Sequence, residues 1–191
     1  MKNVFIIHSY NGNTEHSFAP SIEKLCKNNN IDYYFPRFPT GSNANYESWE
    51  EVLNEYRKKG ILNDKSIVIA HSLGAHFIPK YLVKNNVIIN TYISVAGFVD
   101  YNYNGNLKKI VDIFQPTSNE FEKCKNLVKN RYSIYSDNDI ISDTDKLEKY
   151  ANMLSAHKIV INGAGHFGPK SGITEIEDIN NIIIGHRKIH S

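Results

Sequence analysis

The sequence has few cysteines, no long apolar run and little charge imbalance, and each shortage removes a class of function. Two cysteines, Cys26 and Cys124, occur in 191 residues. Both fall in helix-like segments, and they read as two buried or half-buried free thiols of a reducing compartment, with a single disulfide as the alternative. No apolar run reaches the length of a bilayer-spanning helix. The run Val4-Phe5-Ile6-Ile7 near the start is far too short for a signal peptide. A soluble, cytoplasmic protein without a membrane partner is therefore expected. Basic side chains number 22 and acidic ones 20, for a net charge of +2. The lysines are scattered, so nothing predicts a nucleic-acid partner, and nothing points to a particular protein partner. There is no HExxH, no P-loop and no GxGxxG after a strand, so neither a metal nor a nucleotide cofactor is expected. His71 and His76 are five residues apart, not the four that would put two ligands on one helical face. No repeat, low-complexity tract or linker interrupts the chain.

What is present is an ordinary globular composition, 41% hydrophobic and 22% charged. It suits a single domain over residues 1–191. Its most informative stretch is Ile67-Val68-Ile69-Ala70-His71-Ser72-Leu73-Gly74-Ala75. An apolar, β-branched run meets small-His-Ser-x-Gly, and a helix-like segment follows. This is the layout of a nucleophile elbow, where a strand reverses sharply into a helix and exposes one serine. The backbone is crowded two positions either side of the serine. Ala70 and Gly74 supply the small residues needed there, Ala70 standing where glycine is usual. The alternative is a plain helix start with Ser72 as its N-cap.

A serine hydroxyl needs a base, and the base needs a group to orient it. In α/β-hydrolases these follow in the chain order serine, acid, histidine. Arg131–Ser136 reads as a strand, and Asp137-Asn138-Asp139 follows it as a turn. Lys158–Ile161 reads as another strand, leading into Asn162-Gly163-Ala164-Gly165-His166-Phe167. His166 is the candidate base. Asp137, Asp139 and Asp143 are all candidate acids, at least two of which are expected to serve turns or caps.

Several segments together resemble the small single-domain serine hydrolases related to retinoblastoma-binding protein nine and bacterial YdeN. They are Val4–Tyr10, Phe35–Pro39, Tyr46–Trp49, Ala70–Gly74, Ser136–Asp139 and Gly163–Phe167, and the resemblance spans nearly the whole chain. It implies an α/β-hydrolase fold without a large lid domain, with Ser72 as nucleophile, Asp139 as acid and His166 as base. Family members carry an Asx-Asp pair whose second acid is catalytic, then an apolar segment that often holds proline. Asn138-Asp139-Ile140-Ile141 fits that frame without the prolines, so Asp137 stays open as the alternative.

The implied chemistry is acyl transfer to water through an acyl-enzyme. The oxyanion would need the Leu73 N–H and a second N–H from the loop His8–Asn13, by position Tyr10 with Ser9 next. That loop lacks the HGGG pattern of lipases, so bulky-ester or lipid hydrolysis is not implied, and the resemblance implies small carboxylic esters as substrates. Thioester hydrolysis, amide hydrolysis and acyl transfer would use the same groups. A protein-binding module on the same fold is the rival outside catalysis. Substrate-pocket candidates are Ser9, Phe38, Phe98 and Phe167, with Tyr10, Tyr101, Tyr103 and Phe114 by the same logic. His8 is expected to support its loop and His71 to pack beneath the site. His16, His157, His186 and His190 read as surface residues.

Alternating elements predict a mainly parallel, twisted sheet with helices on both faces. Strands are expected at Asn3–His8, Asp32–Phe35, Ser66–Ala70, Asn90–Val95 and the two noted above. Helices are expected at Thr14–Asn29, Tyr46–Lys59, from the elbow to Lys84, and at Ile173–His186. The stretch from Gly97 to Asn119 reads as irregular.

Overall fold

The structure, a computed structural model, describes residues 2–101 and 104–185. Its centre is a parallel six-stranded sheet, β1 (Asn3–Ile7), β2 (Asp32–Tyr34), β3 (Ser66–His71), β4 (Ile89–Val95), β5 (Val128–Ser136) and β6 (His157–Ile161). The strand order is β2-β1-β3-β4-β5-β6. Alternation along each strand feeds two cores. Phe5, Ile7, Val68, Ala70 and Tyr92 point to one face. Val4, Ile6, Ile67, Ile69, Ile93 and Val95 point to the other. A strand buried on both faces reads as a near-continuous apolar run, as Val4–Ile7 of β1 and Ile67–Ala70 of β3 do.

Helices α2 (Tyr46–Lys58), α3 (Leu73–Asn85), α4 (Gly105–Phe114), α5 (Ser118–Leu127) and α6 (Thr144–Met153) contribute to the first core, and α1 (Ala19–Asn28) and α7 (Glu177–Ile184) to the second. This is the expected α/β-hydrolase architecture, and no inserted lid domain interrupts it among the described residues.

Four segments depart from expectation. The first helix does not run from Thr14. A short 3₁₀ turn covers Asn13–His16, and α1 begins at Ala19 with Pro20 in its first turn. A longer helix would bury Pro20 in its interior, where it removes a donor and clashes with the preceding turn. The segment thought irregular holds α4, whose Leu107, Ile110, Val111 and Phe114 face the core. Helix α6 carries Leu147, Tyr150 and Ala151 inward at the same spacing. The last helix starts at Glu177, not Ile173.

Pro79 sits inside α3. It has no N–H, so the Ala75 carbonyl one turn earlier loses its helical donor. The Tyr92 hydroxyl donates to that carbonyl at 2.9 Å, and the Tyr150 hydroxyl donates to it as well. The elbow helix is thereby tied to β4 and α6.

Strands β2 and β3 lie on opposite sides of β1, so the direction of sheet building reverses between β1 and β3. In open α/β sheets, sites form beyond the carboxyl ends of strands at such a point. The loop Ser9–Asn11 leaves β1 there, and Ser72 follows β3.

Candidate active site

Ser72 follows the last residue of β3 and precedes the first of α3, with φ 54° and ψ −113°. A non-glycine residue at positive φ is strained, and such strain persists only where the surroundings enforce it. Two backbone bonds enforce it here. The Ser72 N–H donates to Val95 O at 2.9 Å, and the Ala75 N–H donates to Ser72 O at 2.9 Å. Ser72 occupies the N-cap position, but its hydroxyl makes no capping hydrogen bond. The hydroxyl points instead to His166. Gly74 is where the elbow packs on β1. A Cβ there would lie 2.7 Å from His8 O and 2.8 Å from Ile7 O, closer than backbone can tolerate.

The three expected partners meet. His166 Nε2 is 2.9 Å from Ser72 Oγ, and His166 Nδ1 is 2.7 Å from Asp139 Oδ2. The Asp139 side chain is fully buried. Its other oxygen accepts the N–H of Ile141 at 2.7 Å and that of Ser142 at 3.3 Å. A carboxylate so held has one free oxygen, and that oxygen faces the imidazole.

Asp137 has a different task. Its Oδ1 accepts the Gly163 N–H at 2.8 Å. Ser136 Oγ accepts the Ala164 N–H at 3.0 Å, and Asn138 Oδ1 accepts the Gly165 N–H at 2.8 Å. Three consecutive side chains, from the last residue of β5 onward, thus hold three consecutive N–H groups of the loop carrying His166. Asp143 lies at the N-cap position of α6, where it pairs with Lys146 at 2.7 Å.

His71 braces the same loop from below. A carbonyl only accepts, so His71 Nε2–H donates to the His166 carbonyl, at 2.8 Å. Burial pushes the His71 pKa down to about 3. The ring is therefore neutral, and its Nδ1 accepts from the Thr14 hydroxyl at 2.9 Å. His8 plays the matching part for the opposite loop. Its Nδ1–H donates to Ser9 O at 2.8 Å, and its Nε2 accepts the Phe38 N–H at 3.1 Å. Desolvation lowers its pKa too. His76 packs edge-on against Phe98 at 4.5 Å, and burial lowers its pKa to about 3. His16 and His157 are exposed, whereas His186 and His190 lie outside the described residues.

A cavity of about 220 Å³ opens over Ser72. Ser9, Tyr10, Leu73 and Phe98 line it, as the sequence suggested. Among the described residues no loop or cap hydrogen bond engages the N–H of Tyr10 or Leu73. Phe38 and Phe167 are corrections, because neither lines the cavity. Phe38 is buried against Trp49, with ring centroids 4.6 Å apart. Phe167 is buried in the opposite core, turned inward by a φ of 53°. Phe114 is likewise core, packed at 4.9 Å from Trp49. Tyr101 packs against Phe98 at 5.9 Å without lining the cavity, and Tyr103 lies outside the described residues. The sequence reading missed Leu107, Val111 and Ile141, which do line it. Their signal was the helical spacing of α4 and the apolar pair after Asp139.

Among the described residues, no group of three or more His, Cys, Asp or Glu side chains is placed to hold a metal ion. Among them also, no helix is long and apolar enough to cross a membrane.

With this geometry in view, the profile of the serine hydrolase family matches residues 4–184. The chain belongs to that family. Over 187 residues this serine hydrolase is 22% identical to YdeN of Bacillus subtilis, covering 97% of its own length and 96% of that protein. The crystal structure of YdeN superposes with a TM-score of 0.83, covering 97% of this chain and 98% of that one. A serine hydrolase from Cycloclasticus zankles superposes at 0.70 with 11% identity, over 95% and 88% of the two chains. The ferulic acid complex of Est1E from Butyrivibrio proteoclasticus superposes at 0.69 with 13% identity, over 96% and 86%. At such identities these superpositions speak for the fold alone.

Proposed function

We propose that this serine hydrolase cleaves small carboxylic esters, with Ser72 as nucleophile, His166 as general base and acid, and Asp139 as the group that orients His166. The observation that carries this reading is the continuous hydrogen-bonded run from Ser72 Oγ through the His166 ring to Asp139. Asp139 keeps the proton on Nδ1, which leaves Nε2 free to accept from the serine. As Oγ bonds to the ester carbon, its proton passes to Nε2. The oxyanion is met by the N–H groups of Leu73 and Tyr10. The tetrahedral intermediate collapses, the carbon–oxygen bond to the alcohol breaks, and Nε2–H protonates the departing oxygen. Water then repeats the sequence on the acyl-enzyme, releasing the acid and restoring the serine.

Thioester hydrolysis, amide hydrolysis and acyl transfer would draw on the same groups, and matched substrates separate them. A pure binding module would have no use for a strained serine aligned on a histidine. We also place the protein in the cytoplasm, since Cys26 and Cys124 are buried free thiols. Burial raises their pKa values to about 11 and about 12, which keeps them unreactive.

The test is hydrolysis of 4-nitrophenyl acetate by wild type, Ser72→Ala and His166→Ala, each checked for folding by circular dichroism. Turnover by wild type, reduced at least about 10³-fold in both variants, is expected. Equal rates in all three would overturn the reading.

A further inference from the structure

The outer face of His166 carries a second cavity, of about 560 Å³, more than twice the size of the first. The two cavities share Ile141, His166 and Gly168. The shared residues make them neighbours at His166. Their walls differ in origin. The inner one is closed by Phe98, Leu107 and Val111. The outer one is bordered by Ile140, Ile141 and Pro169.

Ile140 and Ile141 are anomalous as structural residues. They are 83% and 42% exposed, and they are the only adjacent pair among the exposed large hydrophobic residues described. Scattered exposed apolar residues need no explanation, but a pair beside a reactive centre does. Nor is the pair loosely held. The Asp139 carboxylate that faces His166 also accepts the Ile141 N–H, so the apolar edge and the imidazole share one anchor.

The chemistry assigns the two compartments. A tetrahedral carbon on Ser72 Oγ carries an oxyanion, a leaving oxygen and an acyl substituent. The oxyanion turns to the Leu73 and Tyr10 N–H groups. The leaving oxygen must take its proton from His166 Nε2, so the leaving group departs past His166. The acyl substituent takes the remaining direction, towards Phe98, Leu107 and Val111. The inner cavity has less than half the volume of the outer one, so the acyl direction is the tighter of the two.

Resting on the proposed esterase reading, we propose that the site is asymmetric: it takes esters of short-chain acids with larger apolar alcohols, and Ile140-Ile141 forms the alcohol subsite. The size limit lies on the acyl side and the apolar grip on the alcohol side.

The experiment uses primary-alcohol esters of similar leaving-group pKa, followed by pH-stat. Propyl butyrate is compared with 3-phenylpropyl butyrate, and the acyl chain of the 3-phenylpropyl ester is varied from acetate to decanoate. Wild type should favour 3-phenylpropyl over propyl butyrate by about tenfold in kcat/KM, and decanoate should fall at least about tenfold below butyrate. Ile140→Ser should cut the alcohol preference about five-fold, the scale of one partly buried apolar side chain. Leu107→Ala should move the acyl optimum to longer chains. Fluorophosphonate labelling of every protein accompanies the rates. Labelled enzymes without alcohol preference, or with a preference that Ile140→Ser leaves intact, would overturn the asymmetry and leave the esterase reading standing. Absence of both labelling and hydrolysis in folded wild type would overturn both.

Discussion

Replacing Asp139 and Asp137 in turn by asparagine separates two acids that the sequence could not fully distinguish. Asp139 Oδ2 lies 2.7 Å from His166 Nδ1, in a side chain with no solvent exposure. Its Oδ1 is committed to the N–H groups of Ile141 and Ser142. An asparagine that keeps those two bonds must turn its NH₂ towards Nδ1. The imidazole then carries its proton on Nε2 and can no longer accept from Ser72. A wrong tautomer of this kind costs about 10⁴ in kcat where it has been engineered in a serine triad. Asp137→Asn keeps the Oδ1 acceptor for the Gly163 N–H, which lies 2.8 Å away. Turnover should stay within about fivefold of wild type, since the bond is retained and its complete loss would cost only about 1 kcal/mol. The assay is 4-nitrophenyl acetate hydrolysis at saturating substrate, with thermal melts confirming that both variants fold. Equal losses, or a larger loss in Asp137→Asn, would refute the assignment.

Three further outcomes follow from the packing. His71 and His76 are each held neutral with pKa near 3, against about 6.5 in an unfolded chain. As pH falls below about 6.5, the unfolded chain binds protons that the folded one refuses, so stability drops by up to about 1.4 kcal/mol per histidine per pH unit. The urea midpoint should therefore fall between about pH 7 and about pH 5, and a flat midpoint would contradict this. Gly74→Ala drives a Cβ to 2.7 Å from His8 O, which should cost about 1–3 kcal/mol by thermal melt and reduce turnover together. A wild-type melting temperature would count against that close approach. Tyr92→Phe and Tyr150→Phe should each cost about 1 kcal/mol, and the double variant more than their sum, because only the double leaves the Ala75 carbonyl without a donor. Strict additivity in urea titrations would show that the carbonyl is not shared.

The sequence carried the sheet, the elbow and the order of the reacting groups because each has a local signature. An apolar strand run, a small-x-Ser-x-Gly turn and a glycine-rich loop are all read without knowing what lies opposite. The pocket was less legible because it depends on direction. Phe167 is next to His166 in the chain, but a positive φ sends its ring into the core. Phe38 is near the first loop in space and is consumed by stacking on Trp49. Helix α4 was hidden by the Asn- and Gly-rich lead-in Asn102–Asn106, although Leu107, Ile110, Val111 and Phe114 keep helical spacing. The clamp of Ser136, Asp137 and Asn138 on residues 163–165 was out of reach, since nothing in either segment names its partner.

The most direct measurement is fluorophosphonate labelling of the purified protein beside Ser72→Ala, read by intact mass and peptide mapping. A single adduct on Ser72, absent from the variant, is the predicted result. Folded wild type that takes no label, or a label that maps elsewhere, would contradict an activated serine at the elbow.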